Sequence, residues 1–217
     1  MQQLGINAAC MFVRTVLDEL TSVDDTGMEA DDDALDIRKI VENSIVEAVV
    51  KTHTAAPPYL LDGVKAQAGD YEATLIEGVK GAVQITMKQD TLRVVSVKAD
   101  DSPVVVCSLV PEDSAEGRKQ LNPHVRGVYD DPRVVLAKVW EEDYRPILRY
   151  YSSKDDSLPG FTLEYIPYPV IEDSMILISH RMEHAVLNEL AAMVLESFNE
   201  NEKAGLYRSK SREHMNL

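Results

Sequence analysis

The stretch His180-Arg181-Met182-Glu183-His184-Ala185-Val186-Leu187-Asn188-Glu189-Leu190-Ala191-Ala192-Met193-Val194-Leu195-Glu196-Ser197-Phe198 decides how this chain is read. Met182, Val186, Leu187, Leu190, Ala191, Val194 and Phe198 recur at the spacing of one broad helical stripe. Asn188, Ala192 and Glu196 mark its other side. A helix this apolar needs partners to cover it, and the sequence supplies them at both chain ends. Asn199-Glu200-Asn201 reads as a short polar turn into a weakly apolar helix over residues 202–215, with Ala204, Leu206 and Tyr207 facing inward. Near the start, Ile6, Ala9, Val13, Val16 and Leu20 line one face of a helix spanning residues 3–20, widened by Met11, Phe12 and Leu17. Ile37, Ile40, Val41, Ile45, Ala48 and Val49 do the same over residues 33–52, which Ala55-Ala56-Pro57-Pro58 stops. Between these two helices, Asp24, Asp25, Glu29, Asp31, Asp32 and Asp33 with Gly27 form a solvated connection whose last aspartates are placed to cap the second helix.

From Tyr59 onward the apolar period changes from that of a helix to that of a strand. The predicted strands are Tyr71–Ile76, Ala82–Met87, Leu92–Val97, Val104–Val110, Val134–Trp140, Ile147–Tyr151 and Phe161–Ile166. Val83-Gln84-Ile85-Thr86-Met87 alternates, as a half-exposed strand does, whereas Val104-Val105-Val106-Cys107 predicts burial on both faces. Residues 112–131 hold few apolar side chains and predict a long loop. The fold class expected is α+β: N- and C-terminal helices (residues 1–58 and 170–217) forming one bundle, with an inserted antiparallel β module (residues 59–169).

Composition narrows the function. With 37 acidic against 22 basic residues the net charge is −15, the wrong sign for holding a phosphate backbone. Cys10 and Cys107 each lie in an apolar run and read as small hydrophobes in a reducing compartment rather than as a disulfide. No apolar run is long enough for a membrane span, and Met1–Cys10 has no basic region before its apolar stretch, so neither a membrane anchor nor a signal peptide is expected. Phosphate-cradling glycine motifs and a nucleophile elbow are missing from the sequence. His180 and His184 have the i, i+4 spacing at which two imidazoles share a metal ion, but without the glutamate of a zinc-protease motif or an evident third ligand; helix-start histidines facing solvent explain them equally well. The acidic connection lacks the ligand order of an EF-hand. The reading is a non-enzyme without cofactor or metal. Tyr150-Tyr151 and Tyr165-Ile166-Pro167-Tyr168-Pro169 are suited both to covering a sheet and to meeting another protein.

Three stretches together resemble a known family. Asn122-Pro123-His124-Val125-Arg126-Gly127 followed by Asp131-Pro132-Arg133-Val134 resembles a passage of the head-to-tail adaptor ring proteins of tailed phages, especially short-tailed and crAss-like ones. The strand Phe161–Pro167 is similar in kind to that family's closing strand. The helical pair carrying Met182–Val186, Leu190–Glu196 and Asn201–Ala204 is similar to its final pair. The resemblance implies a virion structural protein of the neck or tail, made in the host cytoplasm. It would be a homo-oligomeric ring, commonly a dodecamer, docked below the portal, extending the DNA channel and offering a platform to further tail or ring proteins. In such a channel a negative wall repels phosphates and keeps passing DNA from sticking. The basic tail with Tyr207, Arg208, Lys210 and Arg212, and the turn with Asn122, Pro123 and Arg126, are the expected partner-binding residues. Gly205, just upstream of that tail, weakens its helix. The competing reading is a cytosolic ligand- or metal-binding protein using the β module or His180 and His184.

Overall fold

The computed structural model describes every residue except 22–31, 68, 88–89, 108, 123, 127–131, 133, 138–145 and 152–156. In chain order the elements are β1 (Gln2–Gly5), α1 (Ile6–Thr21), α2 (Asp32–Ala55), β2 (Val64–Lys65), β3 (Tyr71–Leu75), β4 (Val83–Met87), β5 (Thr91–Ala99), β6 (Leu109–Pro111), α3 (Ala115–Gln120), β7 (Val134–Ala137), β8 (Ile147–Tyr150), β9 (Phe161–Pro167), β10 (Ile171–Glu172), β11 (Met175–Ile178), α4 (Glu183–Ser197) and α5 (Asn201–His214). One-turn 3-10 helices occupy Pro58–Leu60 and His180–Met182. The chain is thus mixed α/β. It divides into two compact units: Met1–Asp62 together with Pro169–Leu217, and Gly63–Tyr168.

The first unit is organised around α4, which packs against α1, α2 and α5. Ala185 through Ala192, Val194 and Leu195 are all buried, so this helix is covered nearly all round. Asn188 and Ala192, expected on an open side, are buried, Ala192 against Ala204 of α5. Phe198, expected in the stripe, is 48% exposed, because the helix ends there. That end is a Schellman turn with asparagine in the left-handed position. Asn199 has φ 62°, its N–H donates to Glu196 O at 3.0 Å, and the Glu200 N–H donates to Leu195 O at 2.9 Å. The sequence pattern carries α1 back to residue 3, but Gln2–Gly5 instead pairs antiparallel with β11, Leu4 opposite Ile176. Gly5 weakens a helical turn there, and the strand gains a ladder that an isolated turn lacks. β10 joins β11 through Asp173 and Ser174, both at positive φ (49° and 60°), the backbone of a tight hairpin turn. α2 ends at Ala55, and Pro57-Pro58 follow. The aspartate capping expected at its start lies outside the described side chains.

The second unit contains two sheets, β2-β9-β5 and β3-β4-β8-β7-β6. Their facing residues share one core: Ile85, Met87, Leu148 and Tyr150 from one sheet, Val94, Val97, Phe161 and Leu163 from the other. Tyr150 and Phe161 meet edge to face at 5.6 Å. The Tyr71 hydroxyl donates to Phe161 O at 2.8 Å, a further tie between the sheets. Tyr150 and Tyr151 are buried, the sheet-covering role, while Tyr168 is exposed.

Three expectations for this unit are corrected. The antiparallel arrangement has an exception, since β6 and β7 pair in parallel. Val104–Val110 is not one buried strand. The chain turns at Asp100–Ser102, Val106 bridges back to Val97 by two hydrogen bonds of 2.8 and 2.9 Å, and Val105 and Cys107 point outward, exposed. The valine run therefore alternates after all. The expected loop over 112–131 contains α3, capped by the Ser114 hydroxyl, which accepts from Gly117 N at 3.0 Å. A Cβ on Gly117 would overlap the Pro111 carbonyl oxygen and lie 2.7 Å from that of Glu112, so the close approach requires glycine.

Candidate functional site

The expected partner-binding residues fall into two groups, one in each unit. Tyr207, Arg208, Lys210 and Arg212 share α5. This helix runs back along α4: Ala204 clusters with Ala191, Ala192 and Leu195, and the Ser211 hydroxyl donates to Ala185 O at 2.8 Å. The inward face is therefore Ala204, Arg208, Ser211 and Met215, and Leu206, expected inside, is 55% exposed. Leucine alone does not set the face, because four-residue steps from Ala204 bring a charged residue over α4 instead.

Arg208 is the most heavily engaged cation of α5. Its guanidinium donates to both carboxylate oxygens of Glu196, at 2.7 and 3.0 Å, and to Glu189 Oε1 at 3.3 Å. A planar fork on a carboxylate is the strong form of an ion pair. The hydrogen bonds to Arg208 hold the Glu196 carboxyl below the usual carboxylate range, with the Arg208 and Lys51 charges adding to this and partial burial opposing it. The same bonds push Arg208 further up. Glu189 is a buried carboxylate facing this arginine. Arg208 is thus spent on its own chain, a position different from the open docking cation that the sequence predicts. Lys210 lies with its Nζ 4.3 Å from the centre of the Tyr207 ring, a cation–π contact. Arg212 is exposed in the last turn. The basic character of the tail is consequently carried outward by Lys210 and Arg212.

The second group is the turn after α3. Asn122 Oδ1 accepts from His124 N at 3.0 Å, and its carbonyl accepts from Val125 N at 3.1 Å and Arg126 N at 2.9 Å. Asn122 is exposed and Arg126 half-buried; Pro123 lies outside the described residues. Sequence reasoning passed over Leu121 and Val125, which are 58% and 53% exposed in this turn. Large apolar side chains inside an otherwise polar stretch were the available signal. The turn is anchored upstream, where Glu112 pairs with Arg149 of β8.

His180 and His184 do not converge. His180 sits in the 3-10 turn before α4, its Nδ1 2.7 Å from Gln2 Oε1 and its backbone N–H donating to Asp62 Oδ2 at 2.9 Å. His184 stacks on His214 at 5.3 Å between ring centres. Helical i, i+4 geometry fails because the first histidine precedes the α-helix. Among the described residues no group of three or more His, Cys, Asp or Glu side chains is arranged to hold a metal ion. The polar groups around His180 serve as a staple. Gln2 Nε2 donates to Glu183 Oε2 at 2.7 Å, Asp62 N donates to the Ser179 hydroxyl at 3.2 Å, and Ser179 N donates to Nε2 of the fully buried His53 at 3.0 Å. His53 Nδ1 faces Val49 O at 3.0 Å, so the ring serves as the neutral tautomer with its proton on Nδ1.

Cys10 is buried, and burial pushes its thiol up against the opposing charges of Arg38 and Arg14, which suits packing rather than nucleophilic chemistry. Among the described residues no helix is long and apolar enough to cross a membrane. Neither the protein-family models nor the curated proteins searched contain a match to this chain.

Proposed function

We propose that this chain is a non-enzymatic virion structural protein, a subunit of a head-to-tail adaptor ring docked below a phage portal. The observation that carries the reading is the composition of the first unit, which draws on both ends of the chain, Met1–Asp62 and Pro169–Leu217, around the buried helix α4. In this reading the two helical ends form one bundle that carries the β-rich residues 63–168 as an inserted module. A frame that draws on both the N- and C-terminal helices suits a ring subunit presenting one surface to each neighbour.

The net charge of −15 supports a channel wall that repels DNA phosphates. Exposed apolar side chains in the turn after α3, and Lys210 with Arg212 on α5, supply contact chemistry of the kind partner surfaces use. The partners of this reading are further copies of the chain, the portal and the next tail or ring component.

The test is sedimentation velocity and electron microscopy of the purified chain, alone and with the portal encoded in the same genome. A closed ring, or a stable complex with the portal, is the expected result. A chain that stays monomeric with the portal and is missing from purified particles overturns the proposal.

A further inference from the structure

What holds α5 to α4 is mixed: Ala204 and Tyr207 cluster with Ala191, Ala192 and Leu195, and polar contacts supply the rest. The α4 stripe beneath it reads Ala185, Glu189, Ala192, Glu196, at steps of four, three and four residues, which is one helical face. The matching α5 stripe reads Ala204, Arg208, Ser211, Met215 at the same steps. Alanine meets alanine where the helices approach, as Ala204 does in its cluster with Ala192. Arginine meets two carboxylates, and a serine hydroxyl meets a backbone carbonyl. Of the four α5 residues on this face only Met215 carries a large apolar side chain. Tyr207 packs at the margin of the cluster.

Undocking such a helix has an unusual balance. The face that α5 leaves on α4 holds Glu189 and Glu196 beside Ala185, Ala191, Ala192 and Leu195. Opening therefore exposes one large apolar side chain of α4 among small and charged groups that water accepts readily. The buried Glu189 regains solvent rather than losing it. What is lost is the charge-assisted clasp, a salt-sensitive interaction. A short turn joins α5 to α4. The connection is three residues, Phe198–Glu200, with Asn199 already at positive φ, and Phe198 is half-exposed rather than buried as an anchor.

We propose that α5 is a releasable strap: it undocks from α4 as a unit about the turn Phe198–Glu200, and the Glu189–Arg208–Glu196 clasp is its latch. In the docked state the latch occupies Arg208. Release turns that arginine into a third available cation beside Lys210 and Arg212, so the contact with α4 is autoinhibitory toward acidic partners. The inference concerns the isolated chain and stands whether or not the chain builds a ring.

Hydrogen exchange read by mass spectrometry on the full chain tests it, with the amides of α4 as the internal reference for an intact fold. In the wild type the α5 amides should exchange at least about tenfold faster than those of α4, because the undocked 14-residue helix loses its packing and is marginal alone in water, so it unravels and exchanges. Arg208→Met keeps the aliphatic stem and removes the latch. It should speed α5 by a further factor of about five while leaving α4 unchanged, and 0.5 M salt should shrink the gap between the two proteins, as expected for a clasp of roughly 1 kcal/mol. Ala192→Leu wedges the close approach and should open α5 without Arg208 being touched. Equal protection of α4 and α5 in the wild type overturns the proposal, as does an Arg208→Met protein in which both helices accelerate together. A faster α5 that is indifferent to Arg208 and to salt overturns the latch.

Discussion

On one side of α4, Leu187, Leu190 and Val194 are buried, with the last two fully inaccessible; on the opposite side Ala185, Glu189, Ala192 and Glu196 meet α5. Both sides are covered, and burial alone makes them look equivalent. Their chemistry separates them. The first is held by apolar area, which is non-directional, insensitive to salt and lost only when the unit comes apart. The second is held by small residues that permit close approach, with Leu195 beside them, and by directional charge-assisted bonds, which one substitution removes. A helix can therefore be central to a core on one face and a mere mooring on the other.

The largest effect should come from attacking the apolar side. Leu190→Ala removes a fully buried side chain and should cost about 2–5 kcal/mol through lost burial and the cavity left behind. In a denaturant melt followed by circular dichroism the midpoint should fall for the whole first unit. A loss confined to α5 would show that the apolar side is not the core. Ala192→Leu, on the mooring side, should cost about 1–3 kcal/mol by over-packing. Its exchange signature should stay within α5, and spread of that signature into α1 and α2 would erase the distinction between the two faces.

The same contrast explains what could be read from the sequence. Leu190 and Val194 announce their side because apolar residues at helical spacing have one economical explanation. Ala192 and Asn188 read as solvent-facing, because small and polar residues carry no signal for burial. Both are buried here, Ala192 against Ala204 of a helix whose own sequence is hydrophilic, and only the fold brings Arg208 within reach of Glu189 and Glu196. The tail was legible as a basic segment; that its first arginine is consumed internally was not. β1 was missed for a related reason. Ile6 opens the helical stripe and the few residues before it are too short to show a period of their own, while the strand depends on β11, a partner remote in the sequence. In the second unit the strands with strong alternation, β4 and β9, were plain. The short α3 was not, since a six-residue helix has too few turns to display a period and rests on the Ser114 cap and the Gly117 contact instead. His180 and His184 show the limit of spacing as a guide to ligands: i, i+4 places two imidazoles together only if the helix already includes the first.

Gly205 offers a gentler probe of the mooring side. It lies inside α5, and a Cβ added there meets no heavy atom within 4 Å. Gly205→Ala should therefore raise helix stability by about 0.5–1 kcal/mol through reduced backbone entropy. If α5 opens by fraying residue by residue, the slowing should be graded along the helix. If it undocks as a unit and then unravels, its amides should slow by one common factor. The pattern along 201–214 sorts the two.

The smallest expected effect is that of pH on the clasp, and its sign follows from Glu196. Hydrogen bonding to Arg208 lowers the folded-state pKa of this carboxyl from its usual 4.5. A group with a depressed folded pKa contributes stability above the unfolded value and loses it as pH falls through the folded one. Glu196 is well exposed, so solvent screens the contribution and the effect on global stability is slight. It should still be visible locally: between about pH 5 and pH 3 the exchange of α5 relative to α4, measured in one sample so that intrinsic rates cancel, should rise in the wild type. In Glu196→Gln the charge is absent at every pH, so the ratio should begin higher and vary less over the same range. A wild-type ratio as flat as that of the glutamine variant would place the holding force of α5 in Ala204 and Met215 rather than in Arg208, making the two faces of α4 alike in kind and different only in area.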